Sequence, residues 1–153
     1  MFKLLSDPHC KEELLARLGK VRPDSTRRWG RMNAPQMICH LSDSILCVMG
    51  EKPVEIPVKY PWRKLMKWGA LYVPTPWPKG VPTMRELDAE IGGTPPSDFE
   101  SDKRHVVALV DRFTRQPRSF QFRPHPIFLE LSEREWMRWG YLHMDHHLRQ
   151  FGQ

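Results

Sequence analysis

Two histidines near the C-terminus have the spacing of a metal half-site. His143 and His147 are four residues apart in the segment YLHMDHHLRQ. On an α-helix this spacing separates the side chains by only about 40° around the axis, so both imidazoles can point at one ion. Trp136 and Trp139 fall on the same helix face, opposite the arginines of the segment. Two core histidines bonded to carbonyls or to a buried carboxylate would explain the same HxxxH pattern.

A third histidine, on an earlier predicted helix, favours the metal interpretation. His40 shares a helix face with Met37 and Ser44, so it points inward from a helix that would otherwise be core. An inward histidine opposite an inward HxxxH pair is better explained as a third ligand than as a structural residue. Three neutral imidazoles leave coordination positions open for water or substrate. We therefore predict a divalent-metal site formed by His40, His143 and His147, with zinc and nickel equally suited.

The other histidines are predicted not to bind the ion, and they are His9, His105, His125 and His146. His9 and His105 have no inward partner at helical spacing. His125 lies within an Arg-Pro-His-Pro stretch that is typical of a turn. His146 falls at the edge of the apolar face of its helix, and we place it at the rim of the site.

Few other residues near the predicted ligands could take part in chemistry. Asp43 and Gln150 could orient an imidazole through a hydrogen bond, although solvated edge positions explain them equally well. Cys47 lies about 10.5 Å along the helix from His40 and is expected to pack in the core rather than share the ion. No residue beside the predicted ligands is a good candidate for a general base, so the sequence does not indicate a detailed mechanism.

Four helical segments are predicted to position these residues, at about residues 10–18, 34–49, 102–115 and 132–151. Asn33 and the capping-box pattern that opens at Ser132 mark two of the starts. Between the second and third helices lies a long stretch rich in proline and tryptophan, about residues 50–98. Proline forbids long regular elements there, so we predict an irregular excursion with one short helix at about 62–71. Its aromatic residues are expected to pack over the helices and could roof a pocket.

Composition is ordinary for a single domain spanning residues 1–153, with 40% hydrophobic and 27% charged residues. No apolar run could cross a membrane and the N-terminus does not resemble a secretion signal, so we expect a cytoplasmic protein. The three cysteines lack CxxC spacing and are expected to be reduced thiols. The net charge of +6 is spread along the chain, which disfavours nucleic-acid binding and mildly favours an anionic small-molecule substrate.

Several motifs resemble those of the DinB-like (DinB/YfiT) superfamily. The resemblance is carried by the stretch RWGRMNAPQMICH that ends at His40, by the pairs His125-Pro126 and Glu135-Trp136, and by the tail HMDHHLRQFG. It covers most of the chain except the proline-rich stretch. More narrowly, the sequence is similar to a branch of uncharacterised small proteins that end in HHLRQFG.

The resemblance implies an all-α fold, a four-helix bundle in an up-down-down-up arrangement, with the proline-rich stretch as an insertion. It implies a metal held by His40, His143 and His147, and the superfamily is often dimeric. Its members include transferases and isomerases that use low-molecular-weight thiols, and many proteins described as metal-dependent hydrolases. The short first helix and the long insertion depart from the family and border the expected pocket, so the substrate class does not transfer.

The sequence therefore leaves two kinds of function open. The first is a metal-dependent enzyme, either a hydrolase or a thiol-dependent S-transferase, because three histidines leave an open coordination position. The second is a non-catalytic, stress-related binding module with a structural or vestigial metal site, because no general base is evident.

Overall fold

Regular structure in this protein is helical. The computed structural model describes residues 2–55 and 61–153. In these two ranges five α-helices and one 3-10 helix occur, and no β-strand. The helices are α1 (Pro8–Lys20), α2 (Ala34–Val48), α3 (Arg63–Tyr72), α4 (Phe99–Thr114) and α5 (Glu133–Gln150), and the 3-10 turn is Arg85–Leu87. The prediction of an all-α fold is confirmed.

The two helices that carry the predicted ligands begin at capping boxes. At the start of α2, Asn33 accepts from the backbone N–H of Gln36, whose side chain bonds back to the Asn33 backbone. Ser132 and Glu135 make the same reciprocal pair at the start of α5. Each box satisfies two backbone donors that a helix terminus leaves without a partner. Both starts agree with the sequence prediction.

Two other helices begin earlier than predicted. α1 starts at Pro8, because the Asp7 carboxylate accepts from a backbone N–H of the first turn and proline suits that turn. α4 starts at Phe99, because Asp98 caps it in the same way. In both cases an aspartate sets the helix start, two or three residues before the predicted position.

The helices enclose one contiguous apolar core. α2 packs along α4 and α5 packs on α1, while further contacts join α1 to α4 and α2 to α5. Trp136 and Phe113 are among the largest fully buried side chains. This packing turns the histidine-bearing faces of α2 and α5 toward each other. The up-down-down-up order implied by the resemblance stays a prediction.

The proline-rich stretch contains the short helix predicted for it, α3, which packs on α5. Residues 56–60 of this stretch lie outside the described residues. Trp77 packs against the core and donates a hydrogen bond from Nε1 to the backbone oxygen of Ala70 at 2.8 Å. The expectation that all its aromatic residues fold inward is wrong, because Trp62 is 70% and Trp68 is 58% exposed. Trp62, just before α3, and Trp68, on α3, face solvent, whereas Leu71 of the same helix is buried.

No helix within residues 2–55 and 61–153 combines the length and the apolar character needed to cross a bilayer.

Candidate metal centre

The three predicted ligands meet between α2 and α5. One nitrogen atom from each of His40, His143 and His147 lies within 4.8 Å of the other two. Nε2 of His40 is 3.3 Å from Nε2 of His143. The ring centroids of His40 and His147 are 4.7 Å apart. The cluster therefore combines an HxxxH pair on α5 with a single histidine on α2, as the helix spacing predicts.

A hydrogen bond sets the tautomer of His40. Its Nδ1 lies 3.0 Å from the backbone oxygen of Leu87, the last residue of the 3-10 turn. Because a carbonyl oxygen only accepts, Nδ1 must donate, and the neutral ring keeps its lone pair on Nε2. Nε2 is the atom that faces His143, so a metal-binding lone pair points into the cluster.

His147 is fixed in the same way by a side chain one turn further along α5. Its Nδ1 lies 3.0 Å from Oε1 of Gln150. The amide nitrogen of Gln150 donates to the backbone oxygen of Trp29 at 2.8 Å, which orients the amide with its oxygen toward the imidazole. His147 therefore donates from Nδ1 and keeps a free lone pair on Nε2. Of the two alternatives left open for Gln150, the structure shows the one in which its side chain orients an imidazole.

The three imidazoles are neutral near pH 7. Burial lowers the pKa of His40, and it lowers the pKa of His143 and His147 well below the ordinary value of 6.5. The neighbouring imidazoles add to the lowering at His143 and His147, because like charges repel. Neutral imidazole is the form that binds a metal ion.

The donor set and its spacing fit a small divalent ion. Two nitrogens at 2.0–2.1 Å from a tetrahedral ion are about 3.3–3.4 Å apart. The His40 and His143 nitrogens have this separation, 3.3 Å. Three neutral imidazoles, two of them buried and that of His143 partly buried, could therefore bind a divalent metal.

A cavity of about 470 Å³ lies over the cluster and is lined by all three histidines. Trp139 stacks on His143, with ring centroids 5.0 Å apart and planes at 11°. The Trp77 ring lies 6.2 Å from that of His143 and covers the cluster from the proline-rich side. Of the described residues, no lysine, arginine, aspartate or glutamate lines the cavity.

One protein family matches almost the whole chain, over residues 11–153. Its description is "Protein of unknown function (DUF1569)". The chain belongs to the DUF1569 family. No curated protein and no solved structure matches it significantly. The family description names no activity for this DUF1569 protein.

The remaining histidines of the DUF1569 protein lie outside the cluster. His146 is half-buried and lines the rim of the cavity, with its ring 5.2 Å from that of His147 and 5.7 Å from that of Trp29. His125 lies in a turn, as predicted, where it forms an isolated bridge with Leu129. It is nevertheless buried and lines the cavity, which its sequence environment did not indicate.

Asp43 has a different role from either alternative predicted for it. Its side chain is buried and bonds no imidazole; it accepts from the backbone N–H and the hydroxyl of Thr94, each at 2.7 Å. Lys52 completes the group with an ion pair at 3.3 Å. Asp43 therefore holds against α2 the segment that follows the 3-10 turn, whose last residue, Leu87, supplies the carbonyl that bonds His40.

Two small polar side chains on α2 also face the cavity. Cys47 is buried among the core residues, as predicted, and it also lines the cavity; burial raises the pKa of its thiol to about 11. It is therefore protonated at neutral pH. Ser44 also lines the cavity, with its hydroxyl 3.4 Å from Nε2 of His40. Ser44 lies one helical turn after His40, the spacing that could have indicated this contact.

Proposed function

We propose that this DUF1569 protein is a metal-dependent enzyme that acts on a small molecule in the cavity. The observation that carries the proposal is the convergence of three neutral imidazoles at a cavity of about 470 Å³. A structural metal site usually has four protein ligands, whereas three histidines leave a position open. The ligand type suits zinc and nickel. The resemblance to DinB-like proteins supports the same three ligands and a four-helix-bundle framework.

Different residues of the chain would have different roles at such a site. When bound, the ion supplies Lewis acidity, which polarises a carbonyl or lowers the pKa of water or a thiol. The Leu87 carbonyl and the Gln150 side chain hold His40 and His147 in the required tautomers. Trp77 and Trp139 exclude bulk water from one side of the cluster, which strengthens electrostatic interactions there.

Between the two predicted chemistries, the lining of the cavity favours thiol-dependent S-transfer over hydrolysis. Hydrolysis benefits from a positioned base, and no described carboxylate lines the cavity. A low-molecular-weight thiol is more acidic than water, so it would lose its proton at a metal ion without help from a protein carboxylate. Comparing acyl-ester hydrolysis with thiol addition to an electrophile, on zinc- and nickel-loaded protein, separates the two reactions.

A first test is metal binding itself. Protein stripped with a chelator and titrated with zinc or nickel should bind one ion per chain. His143→Ala removes a ligand and should weaken binding by more than the roughly 10- to 100-fold typical of a lost outer partner. His146→Ala is the matched control, because it changes the same residue type on the same helix at the rim, and its affinity should be that of the unaltered protein. Equal affinity of the His143→Ala and unaltered proteins would contradict the proposal.

The same absence of a carboxylate also supports a second candidate, a non-catalytic binding module that uses its metal structurally. The two candidates differ in whether the ion has an open position. Cobalt-substituted protein titrated with azide should change its visible absorption if a position is open to small ligands. An unchanged spectrum, with the cobalt retained, would favour the binding module over the enzyme.

A further inference from the structure

His125, which lies outside the metal cluster, faces the cavity from a tight turn. His125 and Leu129 exchange backbone hydrogen bonds of 2.7 and 2.8 Å. Inside this turn, Nδ1 of His125 accepts from the backbone N–H groups of Ile127 and Phe128, at 3.1 and 3.2 Å. The imidazole is thus part of the turn and cannot rotate without breaking both bonds.

These bonds determine where the His125 proton lies. Nδ1 accepts twice, so it carries no hydrogen, and the neutral ring must carry its hydrogen on Nε2. Burial lowers the pKa of His125 to about 3, which keeps the ring neutral under ordinary conditions. His125 is therefore a fixed, uncharged N–H donor.

The donor nitrogen has no protein acceptor. Among residues 2–55 and 61–153, no hydrogen bond reaches Nε2 of His125, although every fully buried side-chain polar atom in those ranges has a partner. Nε2 is therefore not fully enclosed by protein. Because His125 lines the cavity, Nε2 is accessible from the cavity. An N–H donor in an apolar wall costs free energy unless a ligand accepts from it.

Aromatic rings hold the donor on the same wall as the metal centre. Phe128 stacks on the His125 ring, with centroids 4.4 Å apart and planes at 14°. The Trp139 ring lies 5.5 Å from that of His125 and also stacks on His143. His125 and His143 of the cluster therefore contact the same Trp139 ring. A small molecule in the cavity can reach both histidines.

The rest of the wall determines what such a ligand would be like. It is formed largely by apolar side chains, among them Met66, Pro76, Val81, Pro82, Ile127 and Phe128. The basic residues responsible for the net charge of +6 are absent from the described lining. A neutral donor in an apolar cavity selects an uncharged molecule with an oxygen acceptor.

We propose that His125 donates from Nε2 to the carbonyl-type oxygen of a small, otherwise apolar and uncharged substrate. The proposal deepens the function proposed above, and it rests on that function in taking the cavity as the substrate site. It replaces the anionic substrate expected from net charge with a neutral carbonyl compound.

The test uses two probes of similar shape, acetophenone and ethylbenzene, which differ in the carbonyl oxygen. Their affinities are measured by calorimetry for the metal-free and the zinc-loaded full-length protein. His125→Asn should weaken acetophenone binding roughly three- to tenfold, the worth of one net hydrogen bond, and leave ethylbenzene binding almost unchanged. A loss of equal size for both probes would show that His125 only packs.

The choice of variant keeps the turn intact. The asparagine Oδ1 can occupy the place of Nδ1 and accept from the same backbone N–H groups, as in an Asx turn, while the Nε2 donor is lost. His125→Gln is the reciprocal control, because its longer amide can place a donor near the former Nε2. It should restore part of the preference for acetophenone.

A spectroscopic measurement follows the donor directly. Nitrogen NMR of the metal-free protein should show His125 as the Nε2–H tautomer, with an Nε2 signal that moves on addition of acetophenone and not of ethylbenzene. A ring protonated on Nδ1, or failure of the unaltered protein to bind acetophenone, overturns the proposal. Selective acetophenone binding without any metal binding would instead refute the metal-dependent function and leave the His125 assignment standing.

Discussion

At the scale of single residues, the cluster depends on which nitrogen of each imidazole is kept free. Gln150 connects the Trp29 carbonyl to His147 and so fixes one of the three tautomers. Gly30 makes room for this connection: it has φ 80°, and a Cβ there would lie 2.5 Å from the amide nitrogen of Gln150. The segment before α2 and the end of α5 thus cooperate to orient a single lone pair.

Replacing Gln150 with leucine tests this orientation. The variant keeps a side chain of similar volume but removes the acceptor for the Nδ1–H of His147. We expect zinc affinity to fall about 10- to 100-fold, as for other lost outer partners of metal ligands, measured by competition with a chromophoric chelator. Gln121→Leu makes the same change at an exposed position and should not alter affinity. Equal affinities for both variants would show that Gln150 does not orient His147.

At the scale of helices and their connections, α2 both carries His40 and anchors the segment that orients it. The Leu87 carbonyl lies at the end of the 3-10 turn, and Asp43 holds Thr94 a few residues further on. Because the Asp43 side chain is buried, each of its hydrogen bonds is shielded from competing water. Loss of this carboxylate should therefore affect both stability and the position of the Leu87 carbonyl.

Asp43→Ala should lower the free energy of unfolding by about 2–3 kcal/mol, because it removes a buried carboxylate that accepts two charge-assisted hydrogen bonds from Thr94. Urea unfolding of the metal-free protein measures the change. The control is Asp24→Ala, which removes an exposed partner of Arg22 and should cost less than about 1 kcal/mol. A cost for Asp43→Ala no larger than for Asp24→Ala would contradict this role.

The helices and the ligand cluster could be predicted from the sequence because their signals are local. Capping residues lie within three residues of the backbone groups they satisfy, and the inward faces of α2 and α5 follow from helical periodicity. The roles of Asp43 and His125 could not be predicted in this way. The partner of Asp43 lies 51 residues away, and the ring of His125 packs against Trp136 and Trp139 only because the turn folds back on α5. Local spacing carries no information about either contact.

At the scale of the whole molecule, buried neutral histidines make folding sensitive to acid. In the folded protein the pKa values of His40, His125, His143 and His147 are below 6.5, whereas in the unfolded chain each returns to about that value. Below pH 6.5 the unfolded chain therefore binds protons that the folded protein excludes. Stability is full above this pH and falls as the pH decreases.

For His125 this loss extends from about pH 6.5 down to about pH 3, at up to about 1.4 kcal/mol per pH unit. Urea unfolding of the metal-free protein between pH 7.5 and 5 should show a decline that is shallower in His125→Asn. Gln121→Leu, which changes an exposed side chain that does not titrate, should leave the slope unchanged. A His125→Asn slope identical to that of the unaltered protein would contradict the burial of a neutral His125.

His40 is separated from His143 by 103 residues of chain, yet their nitrogens are in contact. An unfolded chain keeps only the HxxxH pair, so a bound ion would act as a removable cross-link between α2 and α5. Its contribution would follow the free-ion concentration, reaching about 2.7 kcal/mol at 100 times the dissociation constant. Scarcity of the ion would then shorten the lifetime of the protein in the cell, so that metal supply would influence its abundance.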